Sequence, residues 1–281
     1  MKILLLGHKG MLGSDLFLNL AGKHEITGFD KDEIDIASSS ECERAIKENA
    51  PDIVINAAAY TDVDRCEKAK DECFTVNAEA VKNIAEACLD KKIRIIHFST
   101  DYVFDGNSNE PYKEDSLCNP INVYGASKLA GERYLQKLSD NYILIRTEWL
   151  YGKNGNNFVR TILGKAQATN KLEVVDDQMG SPTYTKDLAA AVSLLIERNI
   201  SGIFHITNRG SCSWFQFTEK ILQEAGIKGV QVLPIKSGSL WRPAKRPQYS
   251  VLSMQKFIQV TGKIMQPWQL ALQDYLKDIK Y

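Results

Sequence analysis

Short apolar runs alternate with longer amphipathic stretches through the first half of the chain. The runs at Lys2–Leu6, Glu25–Phe29, Ile53–Asn56, Ile93–Ser99 and Tyr142–Arg146 predict strands. Between them, Gly13–Ala21, Cys42–Asn49, Ala78–Asp90 and Tyr124–Leu138 predict helices. Such alternation is the pattern of βαβ units around a parallel sheet. The second half is less regular and more aromatic. It predicts a helix over Asn157–Ala168, a strand over Leu172–Asp176, a helix over Lys186–Arg198 and a strand over Gly202–Thr207, the last pair placed to return to the first sheet. From Asn208 onward come Trp214, Phe215, Trp241, Trp268 and the proline-containing run Arg242–Pro247, a composition suited to a smaller lobe closing over a cleft.

With 281 residues the chain is long enough to bury a large core as one two-lobed unit. Its 35 basic and 35 acidic residues cancel, so no global positive field exists to hold nucleic acid or an anionic membrane. An anionic ligand must be met locally. The six cysteines, Cys42, Cys66, Cys73, Cys88, Cys118 and Cys212, include no CxxC pair and no neighbouring histidine cluster, which argues against a metal site or a redox dithiol. The apolar start Ile3–Leu6 is too short for a signal segment or a membrane span and runs straight into glycine. A cytoplasmic protein with reduced thiols is the expectation.

Gly7, Gly10 and Gly13 form GxxGxxG between a predicted strand and a predicted helix. Glycines there permit a tight turn, let backbone N–H groups approach a pyrophosphate and allow close helix–strand packing, beside the positive end of the helix. The spacing differs from GxGxxG, and an ordinary glycine-rich turn is the bland alternative. Asp30 closes the second strand, where its carboxylate can accept hydrogen bonds from an adenosine ribose or simply cap the strand. Lys31 follows and could blunt repulsion of a 2′-phosphate, so the sequence favours NADH and leaves NADPH open. Asp35 and Ile36 are placed to flank the adenine, and the small residues of Asn56–Tyr60 (NAAAY) to expose backbone beside the cofactor. The expected class is therefore α/β, a Rossmann-like doubly wound parallel sheet with a smaller C-terminal lobe. Residues 1–149 and 176–207 would form the dinucleotide-binding domain, and 150–175 and 208–281 the lobe.

The strongest chemical signal is Ser99-Thr100-Asp101 at a strand end followed by Tyr124-Gly125-Ala126-Ser127-Lys128 at a helix start. Tyr and Lys four apart share one helical face. An ammonium near the phenol would lower its pKa from about 10, so that tyrosine serves as general acid toward a carbonyl. A lone YxxxK is usually a solvated face. Its conjunction with the strand-end threonine and the upstream glycine turn makes a site the better explanation.

The segments LLGHKGMLG, NAAAYTDVD, STDYVFDG, NVYGASKLAGE, RTEWLYG, NNFV, DDQMGSPT and RPAKRP run in order over nearly the whole chain. In them the sequence resembles the dTDP-4-dehydrorhamnose reductases, a family of extended short-chain dehydrogenases. YxxxK is common to the superfamily, whereas STDYVFDG with NVYG and the late RPAKRP is far narrower. The resemblance implies NAD(P)H-dependent reduction of the 4-keto group of dTDP-4-dehydrorhamnose. It makes Tyr124 the proton donor, Lys128 the holder of the nicotinamide ribose, and Thr100 a hydrogen-bond donor to the substrate carbonyl. Asp101, Tyr102 and Trp149 would line the sugar site. Gly10, Met11, Leu12, Asp35, Ile36, Ala58, Ala59 and Tyr60 match cofactor contacts. Asn157 and Phe158 would lie near the nucleotide, and Arg242 and Arg246 would meet the diphosphate or nucleotide, unless they form only a basic surface turn.

Two positions depart from the family pattern. Where some relatives carry glutamates for an intersubunit magnesium, this chain has Asp15 and Lys186, and a lysine would oppose a cation, so no metal is expected. A homodimer stays compatible with the sequence but gains no support from that site. Glu148 stands where small residues are common. Three other functions compete. A 4,6-dehydratase would need an acid after Thr100-Asp101, where this chain has Tyr102. Another nucleotide 4-keto sugar is the second. The third is a non-catalytic protein resembling the regulatory subunit of methionine adenosyltransferase, against which intact Thr100, Tyr124 and Lys128 argue.

Overall fold

Alternate residues of each strand point to opposite faces, and in β1 (Lys2–Leu6) this sorts the side chains into two cores. Ile3 and Leu5 join Leu12, Leu16 and Leu20 of helix Met11–Leu20 and Leu188, Val192 and Leu195 of helix Thr185–Ile196. Leu4 and Leu6 join Ile46 of helix Ser39–Asn49, Ile84 of helix Ala80–Leu89 and Leu135 of helix Val123–Leu138. The computed structural model describes residues 1–89, 91, 93–198 and 200–281. Asp90, the last residue of the predicted helix Ala78–Asp90, lies outside them. Among the described residues no helix is long and apolar enough to cross a membrane.

The other strands are β2 (Glu25–Phe29), β3 (Ile53–Asn56), β4 (Arg94–Thr100) and β5 (Tyr142–Thr147). With the strand Gly202–His205 they form a six-stranded sheet in the order Gly202–His205, β5, β4, β3, β1, β2, every pair parallel. Helices cover both faces, as a sheet with two apolar faces requires. The strand order reverses between β1 and β3, and the crevice outside the strand carboxyl ends at such a switch point is where ligands bind. Observed boundaries coincide with the predicted ones for β1, β2 and β3 and elsewhere differ by up to three residues, because capping residues and fraying ends are poorly marked in sequence.

One departure is larger. Helix Lys70–Phe74 continues through a π-helical turn, Thr75–Glu79, into Ala80–Leu89, so the helical stretch begins at Lys70, well ahead of the predicted Ala78. The turn brings in Asn77, only 1 % exposed. Its Oδ1 accepts from the Tyr60 N–H at 2.9 Å, and its Nδ2 donates to Tyr60 O at 3.0 Å and to Ser127 Oγ at 3.0 Å. One amide thus ties the end of the NAAAY segment to the helix that carries Tyr124. Gly131 permits the contact, since a Cβ there would collide with the Asn77 carbonyl.

The smaller lobe has its own aromatic core, with Tyr151, Phe217, Trp268 and Tyr275 packed among helices Phe158–Ala168, Trp214–Glu224 and Trp268–Asp278. Here the structure corrects the expected division of the chain. Phe257 and Met265, from the stretch assigned to the lobe, pack in the sheet core beside Phe204 and Leu195. Helix Gln255–Thr261 returns to cover the sheet edge that the Gly202–His205 strand leaves open.

Arg146 of β5 locks the helix Val123–Leu138 to the sheet. Its Nε and Nη2 donate to Glu132 Oε1 and Oε2 at 3.0 and 2.7 Å, with the two side chains 3 % and 0 % exposed. Removing one partner of a buried pair strands the other charge, which costs about 3–5 kcal/mol. Glu132→Leu should therefore lower the urea unfolding free energy by about that amount. The double variant Glu132→Leu/Arg146→Met should recover most of the loss; equal destabilisation by single and double variants would refute the assignment.

Candidate active site

The glycine turn is built as its spacing suggests. Gly7 has φ +83° and donates its N–H to Phe29 O at 2.7 Å, while Gly10 occupies the N-cap of helix Met11–Leu20. A Cβ on Gly13 would collide with the Gly7 carbonyl, and one on Gly7 would lie 2.8 Å from Ala58 N. Above the turn lies a cavity of about 600 Å³, lined by Gly7, Gly10, Asp30, Asp35, Ile36 and Ala57–Asp62 among others. These residues fit a dinucleotide: backbone amides at a helix start for the pyrophosphate and carboxylates at the strand ends for the ribose. The Asp30 carboxylate already orders the turn, accepting from the N–H groups of Lys9 at 3.0 Å and Lys31 at 2.8 Å.

Met11, Leu12, Gly13, Tyr124 and Lys128, all expected at the cofactor, lie outside this lining. Leu12 is 7 % exposed and packs in the sheet core, because it falls on the inward stripe of its helix. Met11 borders Gly152 and Gly155 of the chain leading to the smaller lobe. Sequence reasoning missed Arg65, Glu72 and Val76, which line the cavity from the short helices after β3. Within the NAAAY segment Asn56 does more than expose backbone: its Oδ1 accepts from the Ala58 N–H at 3.1 Å and shapes the turn.

Thr100 ends β4 and is 5 % exposed; its Oγ1 donates to Asp101 Oδ1 at 2.9 Å and accepts from the Tyr102 N–H at 3.2 Å. Tyr124 comes one residue into its helix, capped by Asn122, whose Oδ1 accepts from the Gly125 N–H at 2.7 Å. Gly125 is required where the helix start meets the Asp101–Val103 turn, since a Cβ would collide with the Tyr102 carbonyl. Burial and then the Asp101 carboxyl hold the Tyr124 phenol well above the ordinary tyrosine value, and the nearby Thr100 hydroxyl opposes this.

This corrects the expected pairing of Tyr124 with Lys128. Lys128 is 2 % exposed, and its ammonium donates to Phe98 O at 2.6 Å; burial lowers its pKa to about 8. A buried ammonium needs acceptors for its three donors, and the strand carbonyl supplies one that the phenol does not. Thr100 departs from its expected role in a similar way, with its hydroxyl hydrogen directed to Asp101.

A second cavity, of about 550 Å³, is lined by Tyr102, Phe158, Gln178, Trp214, Trp241, Arg242 and Arg246 among others. Trp149, at φ +49°, stacks on Trp214 with ring centroids 3.4 Å apart, and Trp214 in turn meets Phe158 at 4.4 Å. Asn157 does not reach this cavity. It caps helix Phe158–Ala168, accepting from the Arg160 N–H at 3.1 Å and donating to Gly152 O at 2.9 Å and Tyr275 Oη at 3.2 Å.

Arg246 is likewise committed, its two terminal nitrogens each 2.7 Å from an oxygen of Asp64. Its neighbour Arg242 stays exposed at the rim. Because Asp62 and Arg65 line the first cavity, the Asp64–Arg246 pair joins the walls of both. At the positions flagged for magnesium, Thr185 donates to Asp15 and Lys186 pairs with Asp278 at 2.7 Å.

A doubly wound sheet, a glycine turn beneath a cavity and a buried Tyr/Lys helix beside the end of β4 define an oxidoreductase of the extended short-chain dehydrogenase type. Comparison with known proteins narrows this. The family model described as the RmlD substrate binding domain matches residues 1–281. A dTDP-4-dehydrorhamnose reductase of Aggregatibacter actinomycetemcomitans is 38 % identical, over 97 % of this chain and 97 % of its own. The crystal structure of a dTDP-4-dehydrorhamnose reductase from Clostridium acetobutylicum has a TM-score of 0.97 at 40 % identity, covering 100 % of both chains. That of a Bacillus anthracis dTDP-4-dehydrorhamnose reductase in complex with NADP has a TM-score of 0.95 at 38 % identity, covering 99 % of each. The chain belongs to the RmlD family of dTDP-4-dehydrorhamnose reductases.

The buried carboxyl of Asp101 carries a testable cost. Burial pushes its pKa up to about 6, against 3.8 for a free aspartate. A raised folded-state pKa gives stability that is full below the unfolded value and lost as pH rises through the folded one. Asp101→Asn, which cannot ionise, should therefore be the more stable protein at pH 8, by up to about 3 kcal/mol. Its advantage should shrink between pH 6 and pH 3.8. A variant equally or less stable at pH 8 would show that the ionised carboxylate is well solvated.

Proposed function

We propose that this protein reduces the 4-keto group of dTDP-4-dehydrorhamnose to give dTDP-L-rhamnose, with NADH or NADPH as the reductant. The observation that carries the reading is a pair of cavities whose walls are linked by the Asp64–Arg246 salt bridge. One has the glycine turn and strand-end carboxylates of a dinucleotide site. The other has aromatic walls and the exposed Arg242 suited to a base, a sugar and a diphosphate. The named relatives supply the substrate.

Hydride is the chemistry the cofactor supplies when bound. Tyr124 gives its phenolic proton to the carbonyl oxygen as charge develops there. Burial and Asp101 keep that proton on the phenol at neutral pH, so the acid stands loaded before the reaction. The Thr100 hydroxyl, donating to Asp101 Oδ1, stands near the Tyr124 phenol rather than acting alone on the substrate. Lys128 is anchored on Phe98 O, with His97 Nε2 3.5 Å from its ammonium, and would turn its remaining donor capacity to the nicotinamide ribose. Gly7, Gly10 and Asp30 hold the dinucleotide, with Asp35 and Ile36 beside the adenine and Ala58, Ala59 and Tyr60 exposing backbone. Tyr102, Trp149 and Phe158 border the sugar and nucleotide. Residues 1–149 and 176–207 carry the cofactor side of the chemistry, apart from the sheet cover supplied by helix Gln255–Thr261.

Stoichiometric cofactor oxidation with dTDP- and UDP-linked 4-keto sugars tests the reaction, and absence of turnover with all of them would reject it. Tyr124→Phe keeps the ring but loses the proton. Its kcat should fall by at least about 10²-fold while cofactor affinity survives, and near-normal hydride transfer at saturating cofactor would remove Tyr124 from its role.

Cofactor choice is a separate test. The Lys9 ammonium is taken up by Asp32 at 2.7 Å and Glu33 at 3.3 Å, leaving Asp30 to meet the ribose without a free cation from Lys9. NADH should therefore match or exceed NADPH in kcat/KM; a large advantage for NADPH would overturn the part assigned to Asp30.

A further inference from the structure

Of the four tryptophans, Trp149, Trp214 and Trp268 pack against other rings, whereas Trp241 is 86 % exposed. Among the described residues no ring stacks on Trp241 and no hydrogen bond holds its indole. A single exposed apolar side chain is ordinary on a protein surface. Trp241 differs by its place. With its neighbours Leu240, itself 38 % exposed, and Arg242, it borders the cavity of about 550 Å³ whose lining includes Phe158 and Trp214 of the smaller lobe.

The segment that carries it is fastened on both sides. Ahead of Trp241 the Ser237 N–H donates to Asp177 Oδ1 at 2.9 Å and the Ser237 hydroxyl to Oδ2 at 3.1 Å. After it the Ala244 N–H donates to Asp64 Oδ1 at 3.1 Å, and Pro243 stiffens the approach. Anchors at 237 and 244 keep Trp241 at the edge of the cavity. An indole held there offers a large, rigid apolar face to an occupant at little cost in ordering. The groups beside it decide what that occupant is. Arg246 is spent on Asp64, but Arg242 stays exposed, with a guanidinium suited to phosphate. An aromatic face and a phosphate-binding cation on consecutive residues, both lining one cavity, fit a nucleoside diphosphate, its base on the first and its phosphates on the second.

We infer that Trp241 is a substrate-binding residue whose indole stacks on the nucleobase of the nucleotide sugar. The inference rests on the reading of the second cavity as the nucleotide-sugar site. Trp214 and Phe158 share the lining but are packed against each other, with Trp149 stacked on Trp214, whereas Trp241 keeps its faces free. Stacking reads no base edge, because every base has a π face. The contact therefore supplies affinity for the nucleotide and leaves the choice of base to other groups.

Binding of dTDP, which needs no turnover, tests it. Acrylamide should quench a readily accessible part of the wild-type tryptophan fluorescence, and dTDP should shield that part. Trp241→Phe leaves Trp149, Trp214 and Trp268 as the emitters, so it should lack the accessible part and report only the shielding of those three. By calorimetry Trp241→Ala should bind dTDP about 10-fold more weakly, and Trp241→Phe should recover most of that affinity. Cofactor affinity should be unchanged in both. The side chain is too exposed to support the core, so both variants should fold. Unchanged dTDP affinity in Trp241→Ala overturns the stack, as does shielding no greater in the wild type than in Trp241→Phe. Equal losses in the Ala and Phe variants, or a matching fall in cofactor affinity, overturn it too. A wild-type protein that binds neither dTDP nor UDP would instead defeat the nucleotide reading of the cavity; dTDP binding without shielding leaves that reading in place and removes Trp241 alone.

Discussion

Burial of charge at the carboxyl ends of two adjacent strands is the constraint on which the rest of the site depends. β4 delivers Thr100 and Asp101, β5 delivers Arg146, Thr147 and Glu148, and their parallel register brings these residues to one level. The Arg146 guanidinium is neutralised by the Glu132 fork, which also seats the helix carrying Tyr124 and Lys128. Beside it, Asp101 and Glu148 are buried without such a fork, and burial raises the pKa of both carboxyls. A site that holds its acid protonated and its carboxyls starved of counter-charge spends stability on function. The surrounding packing has to supply that stability.

The packing does so by close approach rather than bulk. Gly13 lets the first helix meet the glycine turn, Gly125 lets the Tyr124 helix meet the turn after Thr100, and Gly131 lets it meet Asn77. At each position a single methyl group would collide with a carbonyl. These contacts set the distance between the cofactor cavity and Tyr124, and Asn77 links the two by side-chain hydrogen bonds. The π-helical turn that presents Asn77 is the kind of irregularity often found at functional sites.

The smaller lobe is tied to the cofactor side by salt bridge and backbone rather than by a shared core. Arg246 and Ala244 both bond Asp64, and Asn122, which caps the Tyr124 helix, donates to Lys245 O at 2.7 Å. The proline-containing run is thus a strap between the two cavity walls. Trp214 and Phe158, with Trp149 stacked on Trp214, line the cavity that Arg242 and Arg246 also border.

The sequence alone determined whatever depends on near neighbours along the chain. Short apolar runs marked the strands, GxxGxxG between strand and helix marked the turn, and the four-residue spacing of Tyr124 and Lys128 put both on one helix. In each, the physical cause lies within a few residues. Only the tertiary structure decided where the polar atoms point. Lys128 turns to Phe98 O, thirty residues upstream, rather than to Tyr124. Asn157 is consumed as a cap with Tyr275. Arg246 finds Asp64 at a separation of 182 residues, and Glu148 meets Ser250 at 102. A buried donor or acceptor takes whichever partner the fold brings within reach, and that partner is fixed by sheet register and lobe packing, which no local pattern encodes.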